Sequence, residues 1–269
     1  PALPESSPES TFASSGNRIA PHLLRFFAQE FTAADIAEPV HSVDQGSPAV
    51  ELAALMDEIG IDLVCLRYRG EIQGYLRRND LQNAEDGYRR PFRIDQLLKG
   101  ERPLLQVIRA LSLHDVIFIT VFGSVAGCIR RIDLNKPVVR MWLFGILTLM
   151  EAEFGRLIDE CYPDDSWREL LSAGRLAKAM DFQAERQRCK QHCALTACLQ
   201  FTDKLQIMSN HPRGLHLLGV DSRRSALQVA KDLGSLRNNL AYAQDITTHD
   251  WSSITRIAEG IRNLTDVDA

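Results

Sequence analysis

Apolar and polar residues follow two different periods along this chain, and the period changes near residues 136–137. Between about 20 and 136, short segments with helical spacing alternate with short apolar strings typical of strands. After Lys136 the strand-like strings stop, and helical spacing continues to the end. Pro137 suits the first turn of a helix, where its missing N–H leaves no hydrogen bond unmade. We therefore predict an α+β part that ends at 136 and an all-α part at 137–269.

The α+β part contains one pattern twice. In each copy a helix precedes a strand, a short turn and a second strand, at 49–58, 62–68, 69–70 and 71–76, and again at 104–113, 115–121, 122–124 and 125–129. The second strands run into the closing strings GYLRRNDL at 74–81 and GCIRRIDL at 127–134, which share Gly, two Arg, Asp and Leu. Such a match between two strings of one chain indicates an internal repeat. We place the two repeats at 21–88 and 89–136, after a disordered Pro- and Ser-rich tail at 1–20.

A helix, strand, turn and strand closed by Gly-apolar-apolar-x-x-x-Asp-Leu resembles the cystathionine-β-synthase (CBS) domain. The resemblance implies a tandem CBS pair of two β-α-β-β-α-type repeats, with ligand clefts between them. It implies that the Asp of each closing string, Asp80 and Asp133 here, holds the ribose hydroxyls of an adenosine nucleotide. In that family a Ser or Thr three residues earlier contacts phosphate, and this chain carries Arg77 and Arg130 there.

Two interpretations of these arginines stay open. A guanidinium can bind a phosphate through two parallel hydrogen bonds, which favours AMP, ATP or another adenosine nucleotide as ligand, with no cofactor required. Alternatively, each arginine lies across its cleft, pairs with the neighbouring Asp and fills the ligand space. An Asp before Leu at a strand-to-helix junction is also a good helix N-cap, which is a purely structural role.

The all-α part predicts an up-and-down helical bundle, because several helical segments are joined by short connections. The predicted helices are at 138–162, 167–172, 174–188, 195–209, 222–245 and 251–264, with a loop at 211–214.

One string of this bundle carries candidate chemistry, LRNNLAYAQD at 236–245. On a continuous helix Asn238 and Tyr242 share a face, and Arg237 borders it. The string resembles the Arg-Asn-x-x-x-His signature of the HEPN (higher eukaryotes and prokaryotes nucleotide-binding) superfamily, helical bundles that include many ribonucleases. The resemblance implies a homodimer in which Arg and His of two protomers meet, the Arg on the scissile phosphate and the His assisting attack by the 2′-hydroxyl.

The chain departs from that signature at its proton-transfer residue, since Tyr242 replaces the His. Imidazole titrates near neutrality, whereas a phenol has an ordinary pKa of about 10. We therefore expect Arg237, Asn238 and Tyr242 to form a degenerate, non-catalytic site, with metal-independent RNA cleavage as the alternative. His249 is a substitute base in that alternative. Arg237 also has a structural interpretation, an ion pair with Glu151 or Glu153 of the first long helix.

Composition limits the partners. The chain has 269 residues with 31 Lys and Arg against 35 Asp and Glu, a formal net charge of −4, which argues against a broad basic surface for duplex DNA. The most apolar run, 141–150, is about half the length of a membrane span. RNA is a minority expectation.

The six cysteines show no disulfide framework, and the first twenty residues are not a signal peptide, so we expect reduced thiols and a cytoplasmic protein. Cys189, His192 and Cys193 have a metal-like spacing, but on a continuous helix Cys198 lies on a different face. We expect no metal site.

The sequence thus predicts a regulatory protein in which a CBS pair binds an adenosine nucleotide and controls a HEPN-like helical domain, as a homodimer. Two alternatives remain: a nucleotide-regulated ribonuclease, and a structural or interaction protein with ligand-free clefts.

Overall fold

The two repeats each form a β-hairpin with a helix before it. The computed structural model describes residues 21–82, 89–248 and 251–257. Its first part contains helices α1 (Pro21–Gln29), α2 (Ala49–Ile59) and α3 (Leu104–Leu113), and strands β1 (Glu38–Pro39), β2 (Ser42–Asp44), β3 (Leu63–Tyr68), β4 (Glu71–Arg77), β5 (Arg90–Pro91), β6 (Leu97–Lys99), β7 (Val116–Val121) and β8 (Ser124–Arg130). The predicted repeat of helix, strand, turn and strand is confirmed.

The hairpin turns have the same geometry in both repeats. Arg69 and Gly70 have φ of 53° and 84°, and Phe122 and Gly123 have φ of 49° and 85°. Positive φ at both central residues matches the right-handed twist of the flanking strands, and the glycine accepts it without strain. The turns therefore fix the register in which β3 pairs with β4 and β7 with β8.

Each repeat contributes one edge strand to the sheet of the other repeat. The two sheets have the orders β2-β3-β4-β5 and β1-β8-β7-β6. Strand β5, which follows the first closing string, pairs antiparallel with β4, while β1, which precedes the first repeat's helix, pairs antiparallel with β8. The segment before residue 40, which the sequence assigns to the first repeat, thus joins the sheet of the second.

The second part is helical, so the chain is α+β with two sheets followed by helices. Its helices are α4 (Pro137–Cys161), α5 (Ala173–Arg188), α6 (Phe201–Met208), α7 (Pro212–Leu217) and α8 (Arg223–Ala241), and 251–257 is also helical. Helix α4 begins at Pro137, as the pattern predicts.

Four details of the helical part differ from the prediction. The segment 167–172, predicted as a helix, is a 3₁₀ turn at Ser166–Leu170. The segment 195–209 is a 3₁₀ turn at Leu195–Cys198 followed by α6, not one helix. The predicted loop at 211–214 opens helix α7, because His211 Nδ1 accepts a hydrogen bond from the Arg213 amide and Pro212 fits the first turn. Helix α8 ends at Ala241, four residues early, and Ala243 adopts the left-handed conformation.

The main hydrophobic core crosses the residue at which the pattern changes. One cluster joins Leu111 and Ile129 of the second repeat to Trp142, Leu205 and Leu236 of the helical part. The first repeat has a small separate core, and a third cluster fills the space between the two sheets. The second repeat therefore does not close a core of its own, because the apolar face of its helix α3 belongs to the core of the helical part.

Within the part of the chain that the structure describes, no helix combines the length and apolar content of a membrane crossing.

Candidate functional site

The closing strings place Asp80 and Asp133 at equivalent positions, the third residue of the short 3₁₀ helices Arg78–Gln82 and Arg131–Asn135. Each carboxylate turns back to accept a backbone N–H three residues earlier, from Arg77 to Asp80 at 3.0 Å and from Arg130 to Asp133 at 2.7 Å. The N-cap interpretation is therefore corrected: these carboxylates close the turn from inside the helix instead of preceding it.

Cations of the chain itself satisfy both carboxylates. Arg90 donates two hydrogen bonds to Asp80, one of them 2.7 Å from Nε to Oδ2. The Arg90 guanidinium is the main cause that holds the pKa of the Asp80 carboxyl below its ordinary value, against the effect of burial. Asp133 instead lies 3.4 Å from the ammonium of Lys136, which also donates to the Ile36 carbonyl and pairs with Glu38. Asp80 is thus held by a bidentate partner and Asp133 by a shared lysine.

Arg77 and Arg130 reach across to the other repeat. Arg77 Nη1 lies 3.5 Å from Asp115, and Arg130 Nη1 donates to Asp62 at 2.8 Å. Asp62 and Asp115 immediately precede β3 and β7, the strands whose first residues pair with Arg77 and Arg130 in their own hairpins. The four side chains therefore form one cluster of alternating charge, related by the symmetry of the repeat.

In both arginines the Nε–H group is buried and has no hydrogen-bond acceptor in the described part of the chain. Among the described residues, the Nε atoms of Arg77 and Arg130 are buried and make no hydrogen bond. The Asp133 Oδ2 atom lies 4.0 Å from Arg130 Nε, beyond hydrogen-bond distance. Burying an unsatisfied donor costs about 1–3 kcal/mol, so each orphaned Nε–H favours an added acceptor such as a phosphate or a hydroxyl oxygen.

A second feature lies in the helical part, a groove of about 780 Å³ between α5, α6 and α8. Arg237 and Asn238 line it together with the cations Arg175, Lys178 and Arg186. Arg175 pairs with Asp203, and the Arg186 guanidinium lies 4.8 Å from the Phe182 ring centre. The carboxylates that line the groove, Glu151 and Asp203, are paired with Lys204 and Arg175. Lys178 and Arg237 have no ion pair among the described residues, so the groove has an excess of positive charge.

The structural interpretation of Arg237 is not borne out. Glu151 accepts a hydrogen bond from Lys204 at 3.4 Å, and Glu153 pairs with Arg156 on its own helix. Tyr242 caps the end of α8, is 76% exposed and does not line the groove with Arg237 and Asn238, because the helix stops before it. The substitute base His249 lies outside the described residues.

The 3₁₀ helix that ends the second repeat, Arg131–Asn135, is hydrogen-bonded to the loop that follows α8. Asn135 donates to Asp245 at 2.8 Å and accepts from the Ile246 amide at 3.1 Å. Hydrogen bonds from Thr248 and then Asn135 hold the pKa of Asp245 well below its ordinary range. Arg140 donates to the carbonyls of Asn239, Leu240 and Gln244. Asn135 and Arg140, which follow Asp133 closely in the chain, therefore connect its surroundings to the end of α8.

Sequence reasoning missed several residues of these sites. Asp62 and Asp115 stand at the same place in the two repeats, directly before the strand, and that recurrence was a usable signal. Arg90 lies outside the repeated pattern and gave none. Arg175 and Lys178 carry no motif, and they line the same groove as Arg237 only because α5 packs on the 3₁₀ turn Leu195–Cys198 before α6.

Comparison with known proteins gives the following. No protein-family model matches the chain, and no curated protein matches it. Solved CBS-domain structures are similar to about two fifths of it. The CBS domain of a bacterial CNNM/CorC family Mg²⁺ transporter in complex with ATP has 17% identity and a TM-score of 0.36, over 44% of this chain and 93% of that one.

Two further CBS structures give similar values. A conserved CBS-domain protein of Thermoplasma acidophilum has 15% identity and a TM-score of 0.35, over 45% of this chain and 76% of that one. A CBS-domain pair in complex with 5′-methylthioadenosine and S-adenosyl-L-methionine has 16% identity and a TM-score of 0.33, over 39% of this chain and 96% of that one.

Proposed function

We propose that this is a regulatory protein whose pair of repeats binds an adenosine-containing nucleotide and whose helical part is a non-catalytic effector. The resemblance of the closing strings to CBS domains suggests the ligand. The observation that carries the function is the buried, unpaired Nε–H of Arg77 and Arg130 at equivalent positions of the two repeats. A phosphate oxygen at that place supplies the acceptor that the described residues do not provide.

The second repeat is the better site of the two. Asp80 accepts a bidentate guanidinium from Arg90, and a ribose has to displace it to reach either carboxylate oxygen. Asp133 shares its lysine with Glu38 and the Ile36 carbonyl, so Lys136 keeps two partners when a ribose takes over Asp133. We therefore assign the ribose to Asp133 and the phosphate to Arg130, with Asp80 and Arg77 as the weaker site.

Binding then exchanges one partner of Arg130 for another. The carboxylate of Asp62 is 71% exposed, and ion pairs of such exposed groups contribute about 0–1 kcal/mol. A phosphate bears more charge and offers several acceptor oxygens, so it competes well with Asp62 for the guanidinium. Because Asp62 belongs to the first repeat and Arg130 to the second, the exchange loosens a contact between the repeats.

Isothermal titration of the chain with AMP, ATP and S-adenosylmethionine tests this function. We expect saturable heat with at least one of them, and an affinity about tenfold lower in Arg130→Ala. Arg78→Ala is the matched control, since Arg78 is similarly exposed, is ion-paired to Asp57 and neighbours Arg77 without joining the cluster. Absence of heat with all three ligands contradicts nucleotide binding, and equal losses in both variants contradict the assigned role of Arg130.

For the effector we propose that the groove holding Arg237 and Asn238 binds single-stranded RNA without cleaving it. Unneutralised Lys178 and Arg237 suit a phosphate backbone, and the half-exposed ring of Phe182 offers a base a stacking surface. Tyr242 lies outside the groove, so no side chain there stands in for the family's histidine among the described residues.

Fluorescence anisotropy with a labelled single-stranded RNA measures this binding. Arg237→Ala and Lys178→Ala are each expected to weaken it and to lower the salt dependence by about one counterion, whereas Arg168→Ala, which loses an exposed ion pair elsewhere, leaves it unchanged. An RNA affinity that is unchanged in both Arg237→Ala and Lys178→Ala contradicts this site. Cleavage of the RNA that Arg237→Ala abolishes contradicts the non-catalytic assignment and favours the ribonuclease.

A further inference from the structure

Two cysteines of the helical part lie in contact. The Sγ atoms of Cys193 and Cys198 are 3.3 Å apart, and both are free thiols. The sequence places Cys198 on a different helix face, but residues 189–194 are not helical, and the 3₁₀ turn Leu195–Cys198 brings the two side chains together. Gln183 of α5 donates to the Cys193 carbonyl at 2.9 Å and holds this segment in place.

The two thiols differ in environment. Cys193 is partly exposed, whereas Cys198 is 7% exposed and lines the cationic groove. Burial first, and then the Cys193 thiol, raise the pKa of Cys198 to about 11. A thiol reacts as its thiolate and only where a reagent reaches it, so Cys193 is the attacking thiol and Cys198 the resolving one.

We propose that Cys193 and Cys198 are a modification site, a dithiol that a peroxide converts to an intramolecular disulfide and that a small thiol reduces again. The Cys193 thiolate attacks one peroxide oxygen, the O–O bond breaks, and Cys193 becomes a sulfenic acid while one water leaves. The Cys198 sulfur then attacks the Cys193 sulfur, its proton leaves with the hydroxyl as a second water, and the S–S bond forms. Two thiols lose two electrons, and one peroxide is reduced to two waters.

The required movement is small and acts on the groove. A disulfide has a sulfur–sulfur distance of about 2.05 Å, so the two atoms approach by roughly 1.3 Å from their 3.3 Å separation. Cys198 directly precedes Leu199 and Gln200, which also line the groove and lead into α6. Oxidation is therefore expected to shift the part of the groove wall formed by 198–200, and it requires no nucleotide on the repeats.

Mass spectrometry of the full chain tests the site. Trypsin cleaves after Lys190 and Lys204, so one peptide, QHCALTACLQFTDK, holds both cysteines and excludes Cys189. After graded hydrogen peroxide and alkylation under denaturing conditions, we expect this peptide to lose two hydrogens in mass and to take up no alkyl group. A later reduction with glutathione is expected to restore two alkylation sites.

Matched variants locate the chemistry. Cys189→Ser, which removes an exposed thiol nearby, is expected to leave the oxidation unchanged, and Cys198→Ser is expected to leave Cys193 as a sulfenic acid that a sulfenic-acid-specific reagent traps. The site is wrong if the wild-type peptide still takes two alkyl groups after peroxide, if Cys189 forms the bond instead, or if glutathione fails to reverse the product. None of these readouts depends on nucleotide or RNA binding.

Discussion

At the scale of single residues, the arginines of the closing strings distinguish this chain from the pattern that it resembles. Arg77 and Arg130 extend from one repeat to an aspartate of the other, at 3.5 and 2.8 Å. Each therefore ties the repeats together and keeps one buried Nε–H free for an acceptor. The side chain makes a contact between the repeats, and in the function that we propose it also binds the phosphate.

A substitution at Asp62 separates these two roles. Asp62→Asn frees Arg130 from its carboxylate competitor, so we expect nucleotide affinity to rise by about two- to fivefold, the range that an exposed ion pair of up to about 1 kcal/mol allows. Isothermal titration measures the change. Asp57→Asn, which frees Arg78 instead, is expected to leave affinity unaltered. Unchanged or lower affinity in Asp62→Asn shows that phosphate does not replace this carboxylate.

The Asp80–Arg90 pair gives a prediction for pH. Because the pKa of Asp80 is lowered in the folded protein, its contribution to stability is present above the ordinary carboxyl pKa of about 3.9 and is lost as the pH falls through the lower folded value. Asp80→Asn is expected to lower the free energy of unfolding by about 1–3 kcal/mol at pH 7. As the pH falls below about 4, the free energy of unfolding is expected to decrease less in this variant than in the wild type. Urea unfolding at several pH values measures both.

For Asp57→Asn we expect little effect at any of these pH values, since Asp57 is 64% exposed and solvent screens its pair with Arg78. Parallel pH curves for the wild type and Asp80→Asn mean that the pair does not stabilise the fold.

At the scale of elements, the helices and strands that end in strong local signals were predictable from the sequence. Helix α4 starts at Pro137, and both hairpins turn at a residue followed by glycine. Elements whose ends depend on packing could not be predicted. The end of α8, for example, is held by Arg140 of α4, and this arginine donates hydrogen bonds to carbonyls 99 or more residues away. The sequence pattern therefore places Tyr242 on the helix face of Asn238, since no local signal marks the end of the helix at Ala241.

The contact of Arg140 with the end of α8 is testable. Its guanidinium satisfies carbonyls that the helix end leaves without intrahelical partners, so Arg140→Ala is expected to cost about 1–3 kcal/mol. Amide hydrogen exchange of 241–246 is expected to accelerate, while the strands of the first repeat keep their protection. Arg168→Ala is the control, since Arg168 pairs with Asp165 away from α8. Unchanged exchange at 241–246 in Arg140→Ala contradicts this role.

At the scale of the whole molecule, the distribution of the core determines what can move. The second repeat shares its core with the helical part, and the first repeat has its own small core and meets the second across the sheet-to-sheet cluster. The repeated strings let the sequence predict two similar units. Nothing local indicates that α3 joins, through its contact with α1, the core that α4 also lines, instead of closing a core within its own repeat, so that continuity could not be foreseen. The homodimer stays a prediction of the HEPN resemblance.

In the function that we propose, this arrangement gives a physical route from the nucleotide to the helical part. A ligand on Asp133 and Arg130 takes a partner from Lys136 and Asp62, and Asn135 lies beside Lys136 and binds Asp245 and Ile246. Coupling requires that the ligand bind two arrangements with different affinity, and the exchange of partners at Arg130 supplies such a difference.

The most direct measurement is amide hydrogen exchange with and without the nucleotide that gives heat in the titration. We predict altered exchange both in 127–136, which holds the second closing string and the two residues after it, and in the loop 242–248. In Asn135→Ala the nucleotide is expected to bind and to change 127–136 while 242–248 no longer responds. Nucleotide binding that leaves 242–248 unaltered in the wild type contradicts control of the helical part by the repeats.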